Sequence, residues 1–258
     1  MNGIGFDVLA REHVAVEAFD LAQVDKNLAT LLDPAEHFRA ASIVNAATRH
    51  DFIAGRVVQR LMAAQLLQVD PRALVADYNC PDCSASPLSS HGRPGYQLGG
   101  VPAPVSISFS RSHGWALAAM IPTAMIPTAL IPIAMIPRAM IPRAGIGLGI
   151  DVQHIPAVVF AGYDDVALSA AEKFSLAQLE PATQDQWRAR TWARKEALAK
   201  VTGLGLRTDP RDIMAYPELE EAVTGADAKT DVWDLAPGEC GLPKDFAGAV
   251  ALRVSGKI

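Results

Sequence analysis

The chain is short of cysteine and of positive charge, and each shortage excludes something. Three cysteines (Cys80, Cys83 and Cys240) in 258 residues make no disulfide framework, so the expected compartment is the reducing cytoplasm. Twenty-three basic residues against twenty-eight acidic ones leave a net charge of −5, which argues against a general nucleic-acid binder but leaves room for a local phosphate pocket. The first twenty residues carry Asp7, Arg11 and Glu12 and lack the basic start and apolar run of a secretory signal. Charge is also missing from Gly114 to Pro137, a stretch long enough to imitate a membrane span. Pro122, Pro127, Pro132 and Pro137 occur there at every fifth position. Each removes a helix donor and clashes with the preceding turn, so a spanning helix is not expected.

Half the residues are hydrophobic and a fifth charged, which reads as a globular chain with a sizeable core. "HVAVEAFDL" (13–21) alternates like a half-buried strand, and "LLDPAEHFRAASI" offers Asp33 as N-cap with Pro34 at the first helical position. "TRHDFIAGRVVQRLMAAQLLQ" (48–68) is a helix with Phe52, Val57, Leu61 and Leu66 on an apolar stripe. Its Arg49, Arg56 and Arg60 read most simply as a solvated basic face. A turn-rich loop, 77–104, follows, and then "VSISFSRSHGWALAAMI" has β-character. "GIGLGIDVQHI" reads as a short buried strand ending in a carboxylate, and "DQWRARTWARKEALAKVTGLGL" as the clearest helix, with Gly203 ready to end it. Final strands are expected around "TDVWDL" and "FAGAVALRV". Strands followed by helices in each half indicate two α/β subdomains, 1–118 and 145–258, on either side of residues 119–144.

Those intervening residues hold five near-copies of Ala-Met/Leu-Ile-Pro-x. Removing four leaves "WALAAMIPRAGIGLGIDVQ", an ordinary strand–turn–strand connection. The repeat thus reads as about twenty residues inserted into a turn, where added length costs little closure entropy. Proline in every copy excludes a regular helix or central strand.

On a helix, Trp192, Glu196 and Lys200 stack along one face with Lys195 beside them. Alone, "KEALAK" is an ordinary surface Glu–Lys pairing. Asp151 alters that reading, because a carboxylate ending an apolar strand needs a cation, solvent or hydrogen bonds. A strand-end Asp and a helical Glu together offer oxygen ligands to Mg²⁺, with Lys200 one turn on, facing the phosphate such an ion would neutralise.

"GIGLGIDVQ", and forty residues later "WARKEALAKVTGLGL", resemble the signature of the surfactin-type 4′-phosphopantetheinyl transferases. "HGRPG" resembles that family's Gly-Lys-Pro element, "SISFSRSHGW" its Ser-x-Ser-His-Ser segment, and "TRHDFIAGRVVQRLMA" its first-subdomain helix. All five occur in the family's order between Arg49 and Leu206. The resemblance implies an α/β (α+β) fold, a pseudo-twofold pair of similar subdomains with the active site in the cleft between them, and a monomer. It implies transfer of the phosphopantetheine arm of coenzyme A to a serine of an acyl or peptidyl carrier protein, with Mg²⁺ as cofactor and 3′,5′-ADP released. By position, Asp151, Glu196 and Gln153 are its implied metal ligands, Glu196 the base, and Lys200 the stabiliser of the pyrophosphate. Arg49, Arg93, Pro94, Ser110 and Arg111 are its implied coenzyme A contacts. Gln153 stands where many relatives carry a third acid, and Arg111 replaces a common histidine while keeping a phosphate-binding cation. A binding-only relative is the alternative that Gln153 and the repeat motivate; a membrane-associated protein anchored by the repeat is a further one. "CPDC" with His91 reads either as a zinc knuckle short of one ligand or as two reduced loop cysteines, and His113 is left unassigned.

Deleting Met120 through Ala139, a whole number of copies, places Met140-Ile141-Pro142 directly after Ala119 and regenerates the same connection. The shortened chain is expected to stay in the supernatant and unfold in one cooperative transition by circular dichroism; aggregation would show that the repeat belongs to the core.

Overall fold

The computed structural model describes residues 11–78, 92–123, 146–158, 160–202, 207–216, 228–236, 238 and 240–255. In chain order the first half comprises β1 (Ala15–Asp20), α1 (Pro34–Ala41), α2 (Ala46–Leu67), β2 (Leu74–Ala76), β3 (Tyr96–Leu98), β4 (Val101–Pro102), β5 (Val105–Ser112) and β6 (Trp115–Pro122). The second half comprises β7 (Ile146–His154), α3 (Ile155–Val158), α4 (Tyr163–Ala167), α5 (Ala170–Ala177), α6 (Pro181–Thr202), β8 (Ala228–Leu235) and β9 (Phe246–Ser255). The fold is α+β.

The halves repeat one topology. Each runs strand, 22-residue helix, then two strands of which the second lies in the middle, giving the antiparallel orders β1-β6-β5 and β7-β9-β8; the first half adds a small sheet, β2-β3-β4, between its helix and those two strands. Packing then forms four layers. Met62, Ala63 and Leu67 of α2 meet Ile107, Ala118 and Met120 on one face of the first sheet. Leu117, Ala119 and Ile121 on its other face meet Leu148, Ile150 and Val152 of β7 and Val250 and Leu252 of β9. Ala193, Ala197 and Val201 of α6 cover Ala249 and Ala251 on the far side. The alternation along β6 and β7 is what allows one strand to serve two cores.

A second repeated device fixes each long helix. In α1 the capping-box Glu36 accepts from Asp33 N at 3.0 Å and also pairs at 2.9 Å with Arg60 of α2. In α5 the capping-box Glu172 accepts from Ser169 N at 2.8 Å and pairs at 2.7 Å with Lys195 of α6. Glu36, Arg60, Glu172 and Lys195 are all buried. Charges so enclosed need all their hydrogen bonds. Arg60 adds Asp33 Oδ2 and the Pro71 and Leu74 carbonyls, its Nε alone staying without a partner among the described residues, and Lys195 adds the Pro210 and Ile213 carbonyls.

Four expectations change. Arg60 is not on a solvated face, because Glu36 and Asp33 draw it inward. The turn-rich loop contains β3 and β4, joined by Gly99 and Gly100 with φ of +60° and +77°, the backbone that a two-residue hairpin turn demands. The repeat does not begin outside the fold: Ala119, Met120 and Ile121 of its first copy are buried in β6, which ends at Pro122. The α6 helix begins at Pro181, four residues before the expected start. The other copies, Cys80, Cys83, His91 and Gly203 lie outside the described residues. Among the described residues no helix is long and apolar enough to cross a membrane.

The α6 helix lies directly on β7. A Cβ at Gly149 would land on the Ala197 carbonyl, and one at Gly147 would come within 2.7–2.8 Å of Val201 Cγ1 and O. Gly149→Ala is therefore expected to destabilise the protein by about 3 kcal/mol, since the clash is with helix backbone rather than a side chain free to turn. Urea unfolding checks this; a loss below about 1 kcal/mol would mean that the helix can lift off the strand.

Candidate active site

The edge of β7 is closed by β5 through a row of serines. Ser108, Ser110 and Ser112 alternate onto one face of β5, opposite Ala119, Leu117 and Trp115 of β6. Ser108 Oγ accepts from Ile150 N at 2.9 Å and Ser112 Oγ from His154 N at 3.1 Å. Ser110 Oγ instead donates to Asp151 Oδ1 at 2.6 Å.

Asp151 is thus buried where strand, serine row and α6 converge. Lys200 Nζ donates to the same Oδ1 at 2.7 Å and to the Ile150 carbonyl at 2.8 Å. Gln153 Nε2 donates to Oδ2 at 2.6 Å. Three donors around one carboxylate offset the cost of burying it. Glu196, one turn before Lys200 and half-buried, titrates above the usual glutamate range. Burial is the main cause and the charge of Asp151 the second, while Lys200 pulls the other way.

A second group lies on the opposite face of β5, against α2. The Arg111 stem crosses Gly55, where an added Cβ would be 3.4 Å from Cδ. Burial, and then the charge of Arg56, lower the Arg111 pKa; Asp51 opposes them. Arg56 is itself stacked over the rings of Tyr78 at 3.8 Å and Phe52 at 5.0 Å. Two guanidinium groups so placed are suited to a shared anion.

Of the residues singled out in the sequence, Asp151, Gln153, Glu196, Lys200 and Ser110 come together. The Ser110 hydroxyl proton goes to Asp151, which makes this serine an orienter of the carboxylate. Arg111 faces away from Ser110 and joins Arg56. Exposed Arg93, followed by half-buried Pro94, reaches Ser106 Oγ of β5 at 3.4 Å. Arg49 is elsewhere, holding the carbonyls of Ile43 and Val44 at 2.9 and 3.2 Å before α2. The seven-and-four spacing of Arg49, Arg56 and Arg60 marks a basic face, but nothing in the residues marks Tyr78 as the platform under Arg56. His113, with φ of +46°, stacks on His154 at 4.4 Å between ring centroids.

Two carboxylates and an amide oxygen form a hard oxygen set that suits Mg²⁺ completed by water and phosphate oxygens. Gln153 presents its nitrogen to Asp151, so its oxygen could face a cation there only on rotation of the amide. Among the described residues no cluster of three or more His, Cys, Asp or Glu is placed to hold a metal; Asp151 and Glu196 are the acidic members of this set.

Residues 147–236, which include this whole cluster except Ser110, match the family model of the 4′-phosphopantetheinyl transferase superfamily. No curated protein matches the chain. Among solved structures, a holo-(acyl-carrier-protein) synthase from Bacillus anthracis str. Ames in complex with CoA (3′,5′-ADP) is similar at 21% identity. That likeness covers 43% of this chain and 99% of the synthase, with a TM-score of 0.35.

The raised Glu196 carboxyl fixes the sign of a pH dependence. Between the ordinary glutamate value and the raised one, the folded chain binds the extra proton, so its stability falls as pH rises through that window. Measured in EDTA, Glu196→Gln is expected to be more stable than the parent above the window, with the difference vanishing as pH drops to the ordinary glutamate range. A constant difference across pH would mean that Glu196 does not carry the strain.

Proposed function

We propose that this chain, whose residues 147–236 carry the pattern of the 4′-phosphopantetheinyl transferase superfamily, moves the 4′-phosphopantetheine arm of coenzyme A to a serine of an acyl or peptidyl carrier protein. The observation that carries this reading is the cluster of Asp151, Gln153, Glu196 and Lys200, assembled around one buried carboxylate by a strand and a helix of the matched segment. Carrier proteins of this kind serve fatty acid, polyketide and nonribosomal peptide synthesis. Cytoplasm is the fitting location, and neither nucleic acid nor membrane enters the reaction. The domain division that goes with this reading is two subdomains meeting at the β5–β7 seam, with the remaining repeat copies between them.

The serine oxygen attacks the phosphorus that bears the pantetheine arm; the bond from that phosphorus to the oxygen of the departing nucleotide breaks, and 3′,5′-ADP leaves. Glu196 takes the serine proton, directly or through water. Lys200, already beside Asp151, places a positive charge where the departing nucleotide gathers negative charge. Asp151, Glu196 and the rotated amide of Gln153 would hold Mg²⁺, which supplies charge neutralisation to the pyrophosphate when bound. Arg56 and Arg111 would hold a phosphate at the nucleotide end, with Arg93 and Pro94 beside it. Phosphoryl transfer asks chiefly for such positioning and charge neutralisation.

Intact-protein mass spectrometry of an apo carrier protein incubated with the chain, coenzyme A and Mg²⁺ is expected to show a gain of one phosphopantetheine arm. Glu196→Ala is expected to abolish the gain with its melting temperature unchanged within a few degrees. No gain across several carriers, with coenzyme A still bound, would leave the binding-only relative, in which the neutral Gln153 has cost the site its metal.

A further inference from the structure

Tyr78 follows β2 with its ring buried and its hydroxyl on Glu36 Oε1 at 3.0 Å. Burial raises the pKa of this phenol well above the usual tyrosine range, which keeps the hydroxyl a donor. Its acceptor is immobilised. Glu36 has no solvent exposure and also accepts from Arg60 Nη2 at 2.9 Å and from Asp33 N at 3.0 Å. Arg60 in turn is held by Asp33 Oδ2 at 2.9 Å and by the Leu74 carbonyl. Asp33 Oδ2 also accepts from Ala76 N at 2.5 Å, at the end of the strand that leads into Tyr78. Both ends of the short path to the ring are therefore pinned to one buried ion-pair network.

On that ring rests the Arg56 guanidinium, 3.8 Å from the centroid. A long arginine side chain on a helix surface loses rotamer entropy when a ligand fixes it, and a ring stacked beneath it removes part of that loss before any ligand arrives. The ring also sets direction, because Arg56 is held within electrostatic reach of Arg111 across the α2–β5 contact.

We propose that Tyr78 is a positioning residue: tethered by Glu36, it holds the Arg56 guanidinium beside Arg111 so that both cations meet one phosphate at the nucleotide end of coenzyme A. This rests on the transferase reading. Tyr78 touches no substrate and acts only through Arg56.

The test is a double-mutant cycle read by calorimetric titration of 3′,5′-ADP into the full-length chain. Arg56→Ala is expected to weaken binding about tenfold, the scale of one charge-assisted contact. Tyr78→Leu is expected to weaken it about threefold to tenfold, the scale of a cation–π stack. In the Arg56→Ala background, Tyr78→Leu is expected to change binding less than twofold, about the limit at which two changes count as additive. Tyr78→Phe, which keeps the ring and loses the tether, falls between the parent and Tyr78→Leu, and with Arg56→Ala completes the same cycle should Tyr78→Leu fail to fold. In the transfer assay the Tyr78 variants raise KM for coenzyme A and leave kcat within about twofold, as expected when only uniform binding is lost.

An equal loss from the Tyr78 change in both backgrounds overturns the proposal, since a residue that merely supports the fold is indifferent to Arg56. Loss of 3′,5′-ADP affinity in Arg56→Ala with none in Tyr78→Leu also overturns it while leaving the transferase reading intact. Unchanged affinity in Arg56→Ala overturns the anion site itself, and the positioning role with it.

Discussion

The free edge of β7 is the constraint on which the rest depends. In the order β7-β9-β8 it is an outer strand with N–H groups facing away from β9, and buried edges must find partners. The partners are hydroxyls, from Ser108 and Ser112, instead of another strand's carbonyls. A serine row at period two closes the edge without merging two sheets into one. It also delivers a third hydroxyl, from Ser110, to the one side chain that most needs it. On its face the same strand accepts a helix at backbone distance because Gly147 and Gly149 have no side chain to hold it off. Asp151 sits where edge and face constraints meet, and besides Gln153 of its own strand its donors come one from each: Ser110 from the seam and Lys200 from the helix. Without either, a buried carboxylate would be under-compensated, so seam, helix and site stand or fall together.

The halves share more than strand order. "DPAEHF" (33–38) and "SAAEKF" (169–174) are the same part used twice: an N-cap, a capping-box glutamate, and burial of that glutamate against a cation on the following long helix. Twenty-four residues separate Glu36 from Arg60 and twenty-three separate Glu172 from Lys195. Even the terminal phenylalanines, Phe38 and Phe174, are alike in being exposed at 71% and 70%. From this common frame the halves diverge in charge. The first offers guanidinium groups from α2 and β5, the second carboxylates from β7 and α6. A ligand carrying phosphates together with a divalent cation is the kind that needs both.

Much of this was legible in the residues. Strands β1, β7, β8 and β9 and helices α1, α2 and α6 follow from alternation, capping and proline placement. The Asp151–Glu196–Lys200 grouping follows from a carboxylate ending an apolar strand and an i, i+4 pair on a helix. The illegible parts are those where one residue serves two masters. Arg60 obeys the helical spacing of a wet basic face, and only Glu36, twenty-four residues away, draws it inside. Ser110 sits in a motif that resembles a phosphate contact, yet its neighbour in space is Asp151. The first repeat copy belongs both to the β-character that runs to Ile121 and to the insertion counted from Ala119; proline is acceptable at the end of a strand, so Ala119–Pro122 complete β6. The β3–β4 hairpin was hidden by turn formers, although Gly99-Gly100 between short apolar runs is itself a hairpin signal.

Gln153 can be judged by the charge it leaves behind. Burial, and then the charge of Asp151, hold the Glu196 proton above the usual range, while Lys200 acts against both. A third carboxylate at position 153 would add repulsion to both acids and raise Glu196 further in the metal-free protein. The amide does the reverse: its N–H stabilises Asp151 and softens the charge that Glu196 faces. Its oxygen stays available to a cation, but only by giving up that hydrogen bond. On the proposed transferase reading, a site with Gln153 would bind a divalent ion more weakly than a three-acid site, while its charges need less relief without one.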